Sequence, residues 1–140
     1  EIEKVKELCE LILSIWKSNN TIYICGNGGS AANAIHIAND MTYGAGQKNG
    51  KGISIESLSS NSAVLTCLAN DLSYEDIFSE QIKVKGKSND LLVVLSGSGN
   101  SKNILKAIEV AKIKKMKTFA IVGSMVELVK KLLITLSISI

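Results

Sequence analysis

Two short loops concentrate the residue types that hold phosphate. One is Cys25-Gly26-Asn27-Gly28-Gly29-Ser30 and the other is Ser96-Gly97-Ser98-Gly99-Asn100-Ser101. Each follows an apolar run, Thr21-Ile22-Tyr23-Ile24 or Leu91-Leu92-Val93-Val94-Leu95, and each precedes residues at helical spacing. Strand, small polar loop and helix together present backbone N–H groups and hydroxyls to an anion at a helix N-terminus. One such loop is a weak signal, but two in 140 residues point to a phosphorylated ligand. The same serines also suit ordinary helix caps.

Periodicity gives the elements that must position the loops. Glu3 to Ser18 reads as an amphipathic helix, with Val5, Leu8, Leu11, Ile12, Ile15 and Trp16 on its apolar stripe. Thr21 to Cys25 is a buried-type strand, and Ala31 to Met41 a helix capped by Ser30. Tyr43 to Gly52 reads as a loop, Ile53 to Leu58 as a strand and Ser60 to Leu68 as a helix. Asn70-Asp71-Leu72-Ser73 is turn-like, and Ser73-Tyr74-Glu75-Asp76 caps a helix running to about Val84. Leu91 to Leu95 is a strand, Ser101 to Lys115 a helix, and Lys117 to Val122 another strand. Alternating strands and helices predict an α/β fold, a three-layer sandwich whose parallel sheet has helices on both faces. Ligands on such sheets bind beyond the C-terminal strand ends, where both loops fall. A dinucleotide site is disfavoured, because Gly26-Asn27-Gly28-Gly29-Ser30 lacks the spaced glycine fingerprint.

The length predicts one domain over 1–140, beginning with an N-terminal helix in 1–20. Apolar residues are 46% of the chain and aromatics only 4%, so the core is expected from Ile, Leu, Val and Ala. All sixteen basic residues are Lys, and the net charge is +3. Without Arg forks or stacking aromatics, the lysine clusters at 83–87 and 112–117 read as solvated faces, with no nucleic-acid partner. No apolar run reaches a membrane span, so no membrane partner is expected. The three cysteines have no metal or redox spacing and read as buried free thiols of a cytoplasmic protein. The opening Glu1-Ile2-Glu3-Lys4 is unlike a signal peptide, and its lack of Met suggests a trimmed product.

Taken in order, these motifs resemble the sugar isomerase (SIS) domain family, and within it the phosphoheptose isomerases. The similarity is carried by Cys25 to His36, by Ala69-Asn70-Asp71 with Ile77-Phe78-Ser79-Glu80-Gln81, and by Asn89-Asp90 through Asn103 and Lys106-Ala107-Ile108. It covers about residues 22–123. The resemblance implies a flavodoxin-like, five-stranded parallel sandwich in a homotetramer with sites between subunits. It implies an aldose–ketose shift, through an enediol, between sedoheptulose 7-phosphate and D-glycero-D-manno-heptose 7-phosphate, supplying heptose to lipopolysaccharide or capsule. Substrate contacts carry over to Asn27, Gly28, Gly29 and Ser30, to Asn70 and Asp71, and to Ser96, Gly97, Ser98 and Ser101. The catalytic pair carries over to His36 and Asp40, which lie i, i+4 on one helix face. That pair also offers two ligands for the zinc that some members bind. The alternative is a non-catalytic sugar-phosphate-binding module of the same family. An isomerase of another sugar phosphate is a third reading.

Three positions depart from the family pattern. Asp40 replaces the usual Glu and is one methylene shorter; Gly97 replaces Thr and loses a hydroxyl; Glu80 replaces Arg and reverses a charge. The tail departs further. The family continues past Gly123 with Asp-Gly-Gly, an Ala-Asp strand and a helix bearing a Gln and the His that acts as acid. Here Ser124-Met125-Val126-Glu127 follows, and His36 is the one histidine. Residues 124–140 are therefore expected to be a divergent tail on a C-terminally truncated or altered domain. Ser124 to Glu127 written TCG-ATG-GTG-GA contains GAT-GGT-GGA, Asp-Gly-Gly, one frame over. Leu132 to Thr135 written TTG-CTG-ATT-AC likewise contains Ala-Asp-Tyr. A frameshift near Gly123 is the expectation. Sequencing the coding DNA past Gly123 is expected to find these words, and then the Gln and His helix, in another frame. Codons that forbid them would overturn the idea.

Overall fold

The computed structural model describes residues 2–44 and 50–123. The expectation for 124–140 and the centre of the expected loop at 45–49 lie outside the described residues. The order is α1 (Ile2–Lys17), β1 (Ile22–Gly26), α2 (Gly29–Tyr43), β2 (Ile55–Ser57), α3 (Ser62–Asp71), a 3-10 turn (Tyr74–Asp76), α4 (Ser79–Lys85), β3 (Leu91–Ser96), α5 (Lys102–Ile113) and β4 (Lys117–Val122). The strands form one parallel sheet in the order β2-β1-β3-β4. The expected three-layer α/β sandwich is therefore present. Four of the five expected strands stand among the described residues.

Strand alternation divides the core into two layers. Ile22 and Ile24 of β1 and Leu91, Val93 and Leu95 of β3 face one side, with Ile15 of α1 and Ala34 and Ala38 of α2. Tyr23 and Cys25 with Leu92 and Val94 face the other, against Phe78, Ile82, Ile104, Ala107, Ile108 and Ala111. β1 and β3 are buried throughout, which is why both read as unbroken apolar runs. The layer under α1 and α2 is the looser one. It holds an apolar cavity of about 160 Å³ lined in part by Leu8, Ile12, Ile37, Met41 and Ile121. No described helix is long and apolar enough to cross a membrane.

The N-terminal edge of the sheet is fastened by Asp90, which is buried. Its Oδ1 accepts from Thr21 N–H at 2.9 Å and from Asn20 Nδ2 at 3.2 Å, and its Oδ2 accepts from Lys87 N–H at 2.8 Å. One carboxylate thus joins the approaches to β1 and β3. Within the sheet, Tyr23 directs its hydroxyl to the Lys85 carbonyl at 3.1 Å. Burial first, then the charges of Asp90 and Glu56, push that phenol above its ordinary pKa of 10.0.

Several expectations are corrected. Ser30 does not cap α2: Gly28 takes the N-cap position with φ 53° and ψ −121°, and Ser30 lies inside the first turn. A residue with a side chain strains at that φ, so glycine wins the position. Asn70 and Asp71 are the last residues of α3 rather than a turn. The helix expected from Ser73 breaks into the 3-10 turn and α4, although Ser73 does cap, accepting from Glu75 N–H at 3.2 Å. Of the cysteines only Cys25 is buried; Cys9 and Cys67 are exposed, and all three are free. Burial pushes the Cys25 thiol far above its ordinary range.

Replacing Asp90 by Ala leaves three donors at a partly buried edge without their acceptor. Asp90→Ala is expected to cost about 2–3 kcal/mol. Urea unfolding should show a lower midpoint at unchanged slope.

Candidate functional site

Both loops stand at the C-terminal edge of the sheet, on the neighbouring strands β1 and β3. Gly26 pairs with Leu95 in the parallel register, and the chains approach closely there. A Cβ on Gly26 would sit 2.7 Å from Ser30 Cβ and 2.9 Å from the Leu95 carbonyl oxygen. Only glycine permits that turn from strand into helix.

The second loop is preorganised by its own hydroxyls. Ser96 Oγ accepts from Gly99 N–H at 3.0 Å, and Ser98 Oγ accepts from Asn100 N–H at 3.3 Å. Ser101 occupies the N-cap of α5 without a side-chain cap bond. Ile104 and Leu105 donate to its carbonyl, so the N–H groups of Lys102 and Asn103 precede the helical ladder. The first turn of α2 likewise has no side-chain cap. Two helix starts thus lie side by side: that of α5 offers N–H donors to an anion without a fixed cation, while at α2 the Ser30 and Ala31 N–H groups are taken by the Asn27 carbonyl and the Ser30 hydroxyl is the polar group on offer. Among the described residues, a Cβ at Gly28, Gly29 or Gly97 would meet nothing within 4 Å, so the missing Thr at Gly97 leaves space there rather than a clash.

Asn27 is engaged differently from expectation. Its amide pairs with Asn103 and also accepts from the Tyr74 hydroxyl at 3.0 Å. Neither Asn103 nor Tyr74 was singled out by motif reading. The available signal for Asn103 was an amide on the stripe of Ile104, Ala107, Ile108 and Ala111.

His36 and Asp40 meet as their spacing predicts, Nε2 to Oδ2 at 3.3 Å, with side chains 76% and 59% exposed. They do not join the loops within one chain. Asp40 lies ten residues beyond Ser30 on the same helix, or about 15 Å along it. For zinc the pair supplies two donors where a tetrahedral site takes four. Among the described residues no group of three or more His, Cys, Asp or Glu forms. These residues alone therefore do not fit the metal.

Asn70 and Asp71 bond to each other at 2.8 Å, and Cys67 Sγ contacts Asp71 at 3.4 Å. The Asn70 bond foremost lowers the Asp71 pKa below its ordinary value. Both residues are exposed at the end of α3. Glu80, where the resemblance expects Arg, is neutralised by Lys83 one helical turn on.

A charged clasp ties the 3-10 turn to the start of α5. Lys102 pairs with Glu75 at 2.8 Å, and Lys106 with Asp76 at 2.9 Å and Glu75 at 3.5 Å. Ser73 Oγ adds a 2.6 Å bond to Asp76. That hydroxyl first, then Lys106, holds Asp76 below its ordinary 3.8, and Lys102 foremost holds Glu75 below 4.5. Asp76 in turn raises Lys106 above 10.5.

The first 123 residues match the family profile described as the SIS domain. The chain belongs to the SIS domain family. Its relatives include the phosphoheptose isomerase of Helicobacter pylori, 43% identical over 121 residues, covering 86% of this chain and 62% of that protein. The phosphoheptose isomerase of Thermodesulfovibrio yellowstonii is 40% identical, over 85% of this chain and 59% of its own length. The structure of phosphoheptose isomerase GmhA from Neisseria gonorrhoeae superposes with a TM-score of 0.80 at 33% identity, covering 88% of this chain and 65% of that one. The chain spans less than two thirds of the length of each of these three proteins.

The depressed carboxylates give the clasp a pH window. Their stabilising contribution is complete above the unfolded values near 4 and is lost as pH falls through the folded values. The raised Lys106 contributes below 10.5 and is lost as pH rises through its folded value. Lys106→Met is expected to move the Asp76 midpoint back up toward 3.8 in a carboxylate NMR titration.

Proposed function

We propose that this protein acts as a phosphoheptose isomerase, interconverting sedoheptulose 7-phosphate and D-glycero-D-manno-heptose 7-phosphate. On this reading it works in the cytoplasm and supplies heptose for lipopolysaccharide or capsule. The observation that carries the reading is the pair of glycine-serine helix starts on neighbouring strands. One suits the phosphate of a sugar, and the other the hydroxyls of its chain.

The chemistry is proton transfer. Asp40 as carboxylate takes the proton from the carbon beside the ketose carbonyl. The C–H electrons form the enediol double bond as the carbonyl oxygen gains a proton. Return of a proton to the neighbouring carbon, with loss of the other hydroxyl proton, gives the aldose. On this reading His36, 3.3 Å from Asp40, holds that carboxylate and moves a proton between the two oxygens. The distance along α2 from Ser30 to Asp40 favours a site assembled between copies, the pair of one copy serving the loops of another, as in a homotetramer. No step is routed through zinc.

Asp40→Asn is expected to lower turnover of sedoheptulose 7-phosphate by about 10²-fold or more. It should keep the rise in Tm that the sugar phosphate produces. Ser98→Ala with Ser101→Ala should lose both. Mixing the two variants should restore part of the activity if copies share sites. Ligand stabilisation without turnover in the unaltered protein would replace this reading with the non-catalytic module.

A further inference from the structure

The two loops are joined by a contact that phosphate binding alone does not require. Asn103, in the first turn of α5, is only 2% exposed. Asn27 Nδ2 donates to Asn103 Oδ1 at 2.9 Å, and Asn103 Nδ2 donates to Asn27 Oδ1 at 2.8 Å. Two antiparallel bonds close a ring, so the pair fixes orientation as well as distance. The Tyr74 hydroxyl, at 3.0 Å, fills the remaining acceptor position of Asn27 Oδ1.

A buried amide on an apolar stripe costs free energy unless paired, and an apolar residue of similar size would pack there without that cost. The pair therefore contributes geometry more than stability. Asn27 precedes Gly28, whose φ is 53°, and its carbonyl accepts from Ser30 N–H at 3.0 Å and Ala31 N–H at 3.3 Å. Whatever holds Asn27 thus holds the start of α2. Tyr74 is itself on the turn clasped to Lys102 and Lys106 through Glu75 and Asp76. Loop one, loop two and the 3-10 turn form one braced unit.

We infer that Asn103 is a positioning residue: its amide pair with Asn27, braced by Tyr74, sets the spacing between the two loops and so selects the length of sugar phosphate that spans them. The inference rests on reading the site as one for sugar phosphates. Asn103 acts through Asn27 and need not touch the ligand.

The test uses the full chain and isothermal titration with inorganic phosphate, a five-carbon ketose 5-phosphate and sedoheptulose 7-phosphate. Asn103→Ala is expected to leave phosphate affinity within about twofold while weakening the seven-carbon ligand about tenfold, so that its advantage over the five-carbon one collapses. Tyr74→Phe removes one hydroxyl from an exposed side chain and is safe for folding. It should shift the same preference about threefold in the same direction. Equal weakening of all three ligands would mark a merely structural pair and overturn the inference. So would an unchanged preference in Tyr74→Phe, even if Asn103→Ala failed to fold. Failure of the unaltered protein to bind either sugar phosphate would instead overturn the sugar-phosphate reading, and the inference with it.

Discussion

The parallel pairing of β1 with β3 is the constraint on which the C-terminal edge depends. It sets Gly26 against Leu95, and that register places the two glycine-serine turns next to each other at the same height. The pairing is parallel, so both helices start at the same end of the sheet. At Gly26 the backbone has no room for a side chain. A shift of one residue in this register would move every buried side chain of β1 to the opposite face. It would also separate Asn27 from Asn103. The same interaction therefore secures the core and the site.

Polar groups divide along the same axis. At the N-terminal edge the Asp90 carboxylate joins two strand entries, while at the C-terminal edge a neutral amide pair joins two strand exits. The different chemistry suits the different tasks. A carboxylate accepts strongly and has no other duty there. A carboxylate beside the phosphate-type loops would repel an anion, whereas amides brace without charge. The clasp of Glu75 and Asp76 lies nearby, but each acid is matched by a lysine.

Much of the fold was legible because burial writes itself into sequence. β1 and β3 are covered on both faces, and their unbroken apolar runs announced them. The half-covered β4 was equally readable from Lys117 to Val122. β2 was read as six residues but keeps three, because hydrophobicity marks burial rather than pairing. Ser30 was mistaken for a cap, since sequence does not show that Gly28 adopts a conformation closed to other residues. Phosphate-type loops were legible from composition and order, and His36 with Asp40 from helical spacing. Their distance from the loops was legible too, since ten residues of the expected helix separate Ser30 from Asp40. Asn103 was read as part of the second loop's motif but given no role, because one amide on an apolar stripe gains one only beside its partner, 76 residues away.

That separation has a consequence in time. β1 leaves the ribosome long before β3, and until Leu91 arrives its only available neighbour is the three-residue β2. At ordinary synthesis rates the 64 residues between β1 and β3 take about 3–13 s to appear. Throughout that interval Ile22, Tyr23, Ile24 and Cys25 form a nascent strand with one long edge unpaired, although α1, α2 and later α4 can cover its faces. A central strand of the finished sheet thus waits for its second neighbour while most of the chain is made. This is the segment on which a chaperone of nascent chains would have the most to hold.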